Sequence, residues 1–219
     1  MSAKIKDPAS ALTHLVGALL SVYGAFVLVY YAWKQATIWH VISFTIYGIS
    51  LISLYTASTI YHWLLVSEKT SLILRKIDHM MIYILIAGTY TPICLVSLHG
   101  PWGWSLLFGI WILAILGIIL KAVSMEVPRW ISTGIYVVMG WLVVIATYPL
   151  VQAVSWAGVA WLIFGGIVYT VGAIIYALKW PNFNRKWFGF HELFHLFVMG
   201  GSACHFWFMY KYILNSTWL

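Results

Sequence analysis

Three short stretches carry the residues that could do chemistry. One holds Ser58-Thr59-Ile60-Tyr61-His62, a second Asp78-His79, and the third His191-Glu192-Leu193-Phe194-His195. On a helix, residues four apart project from one face a turn apart, so His191 and His195 present two imidazoles to the same point. That spacing suits two neutral imidazoles sharing one Zn²⁺. Ser58 and His62 repeat the spacing. A third imidazole from His62 would make a three-histidine site with an open fourth position, the pattern of catalytic rather than structural zinc. Asp78 could then hold or deprotonate water on the metal. The stretch also matches the zincin pattern, whose Glu is general base. Glu192 is rotated about 100° from His191 on a helix, which permits that role. We read it instead as facing headgroups beside Lys186 or Arg185, and keep it as an alternative base.

These residues lie in an apolar chain. Of 219 residues, 63% are hydrophobic and only 8% charged, and mean hydropathy is +0.93. Those values exclude a soluble enzyme, a disordered chain and a nucleic-acid-binding module. They predict an all-α polytopic membrane protein of one domain. Spans need about 20 apolar residues, which places seven at approximately 12–33, 41–65, 79–98, 103–123, 130–150, 156–178 and 190–213. With the N-terminus cytoplasmic and the C-terminus external, ten of the twelve Lys and Arg fall inside and only Lys34 and Lys211 outside. The net charge of +7 is therefore read as positive-inside bias, not as a nucleic-acid patch. Tryptophans such as Trp33, Trp102, Trp130 and Trp156 mark span ends. Pro92 should kink or loosen span three. Cys94 and Cys204 form no CxxC pair, so redox chemistry is not expected.

Topology and spacing agree. Span two runs inward, so His62 lies at its cytoplasmic end; spans three and seven start there, bringing Asp78, His191 and His195 to the same depth. Ionisable groups at membrane depth mark function by default. His14 lies near the cytoplasmic start of span one, where it could support the site. His205, about 15 Å along the helix from His195, is too far to join it. His79 should point elsewhere on its helix. His40 and His99 should be solvated at the external boundary.

Taken together, these stretches resemble the hemolysin III family, bacterial relatives of the progestin and adiponectin receptors. The resemblance covers all seven spans. It rests on Ala57 to His62, on Lys76 to His79 with Ile86 to Pro92, and on His191-xxx-His195 with Gly200 to Phe206. It implies a seven-helix fold and a zinc ion near the cytoplasmic side, held by His62, His191 and His195, with Asp78 at the zinc water and Ser58 close by. It also implies candidate activities: ceramide hydrolysis is associated with the receptor relatives, and bacterial members carry a hemolysin label and a link to membrane-lipid homeostasis. Glu192 departs from the family pattern. The short segment before span one implies no hormone-receptor function.

Three functions follow from this reading. The first is a zinc hydrolase cleaving an amide or ester of a membrane lipid, ceramide or another acyl lipid, in the bacterial inner membrane. The second is a non-enzymatic pore or membrane-state sensor with structural zinc. The third is an intramembrane metalloprotease using Glu192.

Overall fold

The structure is a computed structural model that describes residues 5–98, 100–124, 126–181 and 188–216. His99, Arg185, Lys186 and Lys4 lie outside the described residues, and with them the placements expected for those side chains.

The chain is all helix, without strands among the described residues. Its helices are α1 (Pro8–Gln35), α2 (Ile38–Trp63), α3 (Glu68–Pro92), α4 (Pro101–Val123), α5 (Arg129–Trp141), α6 (Thr147–Leu178) and α7 (Phe190–Phe208). Among the described residues, five stretches are long and apolar enough to cross a membrane: Pro8–Gln35, Ile38–Trp63, Glu68–Ser97, Pro101–Val123 and Arg129–Leu178. Large apolar side chains cover their outer faces, among them Leu19, Phe26, Ile115 and Trp156. In a bilayer that exposure costs nothing, because lipid tails are as apolar as the side chains. The protein is a polytopic membrane protein.

The fifth stretch joins two expected spans. A 3₁₀ segment (Leu142–Ala146) links α5 to α6, and Ser155 interrupts α6 with φ 69° and ψ 162°. That break falls in the expected gap between spans five and six, and the left-handed φ of a serine marks a real departure from helix.

The third helix differs from expectation at its start. It begins at Glu68, eleven residues before the expected span. Ser67 caps it by accepting a hydrogen bond from the Thr70 amide at 3.3 Å, and Glu68 in the first turn complements the helix dipole. Asp78 therefore sits mid-helix. Past Pro92 the helix loosens into a π turn (Ile93–Ser97), as the missing proline N–H favours.

Close packing relies on small residues at chosen points. At Gly17 of α1 a Cβ would stand 2.6 Å from Cδ1 of Tyr55 on α2, so only glycine admits that ring. Tyr55 in turn shares a 2.7 Å hydrogen bond with Ser202 of α7, which Tyr169 of α6 also meets at 2.7 Å. Tyr90 of α3 buttresses the 3₁₀ segment. Its hydroxyl donates to the carbonyls of Gly140 at 2.8 Å and Met139 at 2.9 Å, and accepts from the Val143 amide at 2.7 Å. These contacts join α1, α2, α6 and α7 to one another and α3 to the 3₁₀ segment; α2 finishes and α7 begins at one end of the bundle.

Candidate metal centre

At that end three imidazoles converge. His62, on the last turn of α2, and His191 and His195, on the first turns of α7, bring one ring nitrogen each within 4.8 Å of the others. The Nε2 atoms of His62 and His191 are 3.2 Å apart. A tetrahedral ion with Zn–N bonds of about 2.0–2.1 Å separates neighbouring ligand nitrogens by about 3.3 Å. The donor set fits a zinc ion in type, number and spacing.

The outward nitrogens show how the rings are held. Nδ1 of His62 donates to the Asp7 carboxylate at 3.0 Å, and the Asp7 amide donates to the His62 carbonyl at 2.9 Å. Nδ1 of His195 lies 3.4 Å from the Thr13 hydroxyl, which itself donates to the Ala9 carbonyl at 2.9 Å and so accepts from the imidazole. Both partners sit on or just before α1. A proton on Nδ1 leaves the Nε2 lone pair free, which is how outer hydrogen bonds fix a ligand tautomer.

The segment before α1 is itself anchored to α2. The Lys6 amide donates to the Trp63 carbonyl at 3.3 Å, and the Lys6 ammonium lies 3.6 Å from the Tyr61 ring centre. Sequence reasoning missed Asp7 and Thr13. The Asp7-Pro8 pair offered a usable signal, since an acidic residue before proline marks a helix start and would have put a carboxylate at the depth of His62.

His14 stacks on His195 with ring centres 3.6 Å apart and meets Tyr55 edge-on at 5.0 Å. Neither of its nitrogens has a hydrogen-bond partner. Its place beside the site is that of a packing support for a ligand ring.

Glu192 serves structure. One oxygen accepts from the Gly189 amide at 2.8 Å, capping α7, and the other accepts from the Ser10 hydroxyl at 2.7 Å, tying α7 to α1. Both oxygens are engaged, unlike the headgroup-facing placement expected from sequence.

Asp78 and Ser58 line one cavity with His14, His191 and His195. The cavity measures about 220 Å³ and is walled mainly by α3, α5, α6 and α7. Ser58 is buried and lies close enough to the Asp78 carboxylate to interact with it. Asp78 is not among the groups that close on the three histidines within 4.8 Å. It lies apart from them in the lining of the cavity that His191 and His195 also line.

The other histidines divide. His205 Nε2 donates to the Leu162 carbonyl, 3.2 Å away, a buried contact of its own. His79 was expected to point away, yet it lines the same cavity with Nε2 3.4 Å from the Tyr176 hydroxyl. His40 was expected to be solvated and is 1% exposed. It joins the Thr37 cap of α2 at 2.9 Å and reaches the Ile213 carbonyl at 3.1 Å, so two helix ends claim it before water does. Cys94 and Cys204 are free thiols.

The sequence is similar to known proteins over nearly its whole length. Residues 2–206 match the family described as Haemolysin-III related. Hemolysin-3 of Bacillus cereus is 42% identical over 97% of this chain and 94% of its own length. The Hemolysin-3 homolog of Bacillus subtilis (strain 168) is 42% identical over 98% of this chain and 97% of its own. The human monocyte to macrophage differentiation factor is 28% identical over 84% of this chain and 73% of its own length. A match across nearly the whole sequence, with two close bacterial relatives, settles the family: the chain belongs to the haemolysin-III-related membrane proteins.

Proposed function

We propose that this protein is a zinc-dependent hydrolase of an amide or ester bond in an acyl lipid, crossing a bacterial plasma membrane seven times with its N-terminus in the cytoplasm and its C-terminus outside. One observation carries the reading: three imidazoles gather within 4.8 Å of one another, and two of them, His191 and His195, line an interior cavity that also presents the Asp78 carboxylate and the Ser58 hydroxyl. That combination suits water attack on a carbonyl, with a place for a metal and a carboxylate to take the proton.

His62, His191 and His195 would hold the ion, which supplies Lewis acidity and a lowered pKa for water. Asp7 and Thr13 keep two of those rings in the ligating tautomer. The Asp78 carboxylate accepts a proton from the attacking water and returns it to the departing nitrogen or oxygen as the C–N or C–O bond breaks. Ser58 orients Asp78 and offers its hydroxyl to the carbonyl oxygen. The apolar cavity wall takes the acyl chain.

The test is metal content and turnover, measured together. Purified wild type should hold one zinc per chain, with little in His62→Ala or His191→Ala. It should hydrolyse at least one lipid in a panel of ceramides and phospholipids, and Asp78→Asn should lose turnover while keeping zinc. Full metal occupancy in both histidine variants sinks the reading. So does zinc-loaded protein inert on every amide and ester lipid. The bacterial relatives' name, hemolysin, points to lysis; a pore would conduct in reconstituted bilayers even without His191 and His195.

A further inference from the structure

The cavity has a second chemical character, set by cations that the hydrolytic site does not use. Lys121, near the end of α4, is 4% exposed and turns inward to line the cavity. Its ammonium donates to the Ser132 hydroxyl at 2.6 Å. Among the described residues the only ion pairs within 4 Å involve Asp7, so no carboxylate balances Lys121. A buried ammonium without a counter-charge is costly.

Two further cations share the wall. Arg129, the first residue of α5, lays its guanidinium over the Tyr176 ring at 4.5 Å and donates to the Tyr176 carbonyl at 3.4 Å. Stacking fixes the plane and leaves other N–H edges free. Arg75 lines the cavity one turn before Asp78 on α3. All three cations lie near enough to His79 to act on it electrostatically. Asp78 is the one acidic residue in the cavity lining.

Unused hydrogen-bonding capacity points the same way. Thr133, 6% exposed, lines the cavity and has a hydroxyl with no partner; Nδ1 of His79 has none either. Three cations, a free hydroxyl and a free ring nitrogen around one space describe a place for an anion.

We propose that the Arg75–Lys121–Arg129 corner of the cavity binds the anionic, phosphate-bearing headgroup of an acyl lipid. The order of residues suits such a ligand. From the start of α3, Arg75 comes first and Asp78 follows about 4.5 Å further along the axis. A glycerophospholipid has the same order, with phosphate outermost and ester carbonyl one glycerol deeper, towards the histidines. The remaining wall, including Ile82, Ile86, Val137 and Phe194, accepts an acyl chain. An uncharged ceramide would leave all three cations unpaired. That this lipid is also the substrate rests on the hydrolase reading; that it binds does not.

The experiment is equilibrium binding to the full-length protein in neutral detergent, read by native mass spectrometry. Phosphatidylglycerol, phosphatidylcholine, ceramide and inorganic phosphate are titrated separately. Phosphatidylglycerol should bind about tenfold or more tightly than phosphatidylcholine, because the choline cation of the latter is repelled by the three cations while the glycerol headgroup leaves the phosphate charge uncompensated. Lys121→Gln and Arg129→Gln should each remove about tenfold of that affinity and weaken phosphatidylcholine less, while Lys121→Arg retains it. Thermal unfolding of each variant confirms that it is folded, and Arg129→Gln carries the test if Lys121→Gln is not. His62→Ala should bind phosphatidylglycerol as wild type does, which separates this proposal from the hydrolase reading. Equal affinity for the two phospholipids overturns it, as does undiminished binding in folded Arg129→Gln. Inorganic phosphate binding as tightly as phosphatidylglycerol overturns the lipid assignment.

Discussion

Removing Asp7 isolates what an outer hydrogen bond contributes to the metal centre. The residue sits at the N-cap position of α1 but makes no side-chain capping bond, so its loss uncaps nothing. Its amide bond to the His62 carbonyl at 2.9 Å and the neighbouring Lys6 amide bond to Trp63 at 3.3 Å are backbone contacts that any side chain preserves. What disappears in Asp7→Ala is the 3.0 Å acceptor at His62 Nδ1. Partners of this kind are worth about 10–100-fold in metal affinity, or about 1.4–2.8 kcal/mol. The Asp7 side chain is 43% exposed, so solvent screens much of its charge and the hydrogen bond itself dominates. Asp7→Asn, whose amide oxygen still accepts from Nδ1–H, should therefore lose less than tenfold, and Asp7→Ala close to a hundredfold. Competition with a chromogenic zinc chelator, in detergent at fixed pH, measures both. Two results refute the reasoning: Asp7→Ala binding zinc within twofold of wild type, or Asp7→Asn as weak as Asp7→Ala.

Three further outcomes are expected. Asp78→Asn should lower lipid turnover by about 10²–10⁴-fold, the usual worth of a general base, with zinc retained; Glu192→Gln should retain most turnover and lose about 1 kcal/mol of stability through the α7 cap. A protease built on Glu192 would show the reverse, on a peptide panel. His14→Phe keeps the 3.6 Å stack on His195 and removes two nitrogens without partners, so thermal unfolding should stay level or rise and zinc affinity hold within a few-fold. A tenfold loss would mean that a His14 nitrogen meets the ion. Tyr90→Phe strips the hydroxyl from the Met139, Gly140 and Val143 backbone groups. It should cost about 1–3 kcal/mol, seen as a lower melting temperature with zinc content unchanged.

The clustering of His62, His191 and His195 was readable because it obeys two local rules. Helical spacing pairs His191 with His195, and the Lys/Arg count sets His62 at the same end; neither needs long-range packing. Pro92 and the gap near Ser155 were readable for the same reason, since each is written into its own few residues. What escaped the sequence depends on contacts between distant segments. Asp7 and His62 are 55 residues apart, and Ser10 and Glu192 are 182 apart, so no window along the chain holds either pair. His40 was misplaced because a polar residue at a helix end has two destinations, water or a neighbouring helix terminus. Depth alone does not choose between them; the Ile213 carbonyl does.

Asp78 lies between these cases. Its end of the bundle was legible, but the role proposed for it turns on lying apart from the three-histidine cluster while sharing a cavity with His191 and His195, a relation that only packing creates. The cationic corner sharpens the point. Lys121 and Arg129 entered the sequence reading as two of the charges that set orientation, indistinguishable from Lys69 or Lys179. Inward rotation of α4 and stacking on Tyr176 convert the same charges into cavity walls. The charges that the positive-inside rule counts alike are thus told apart by helix rotation, which decides which of them line a cavity and which lie on the outer surface.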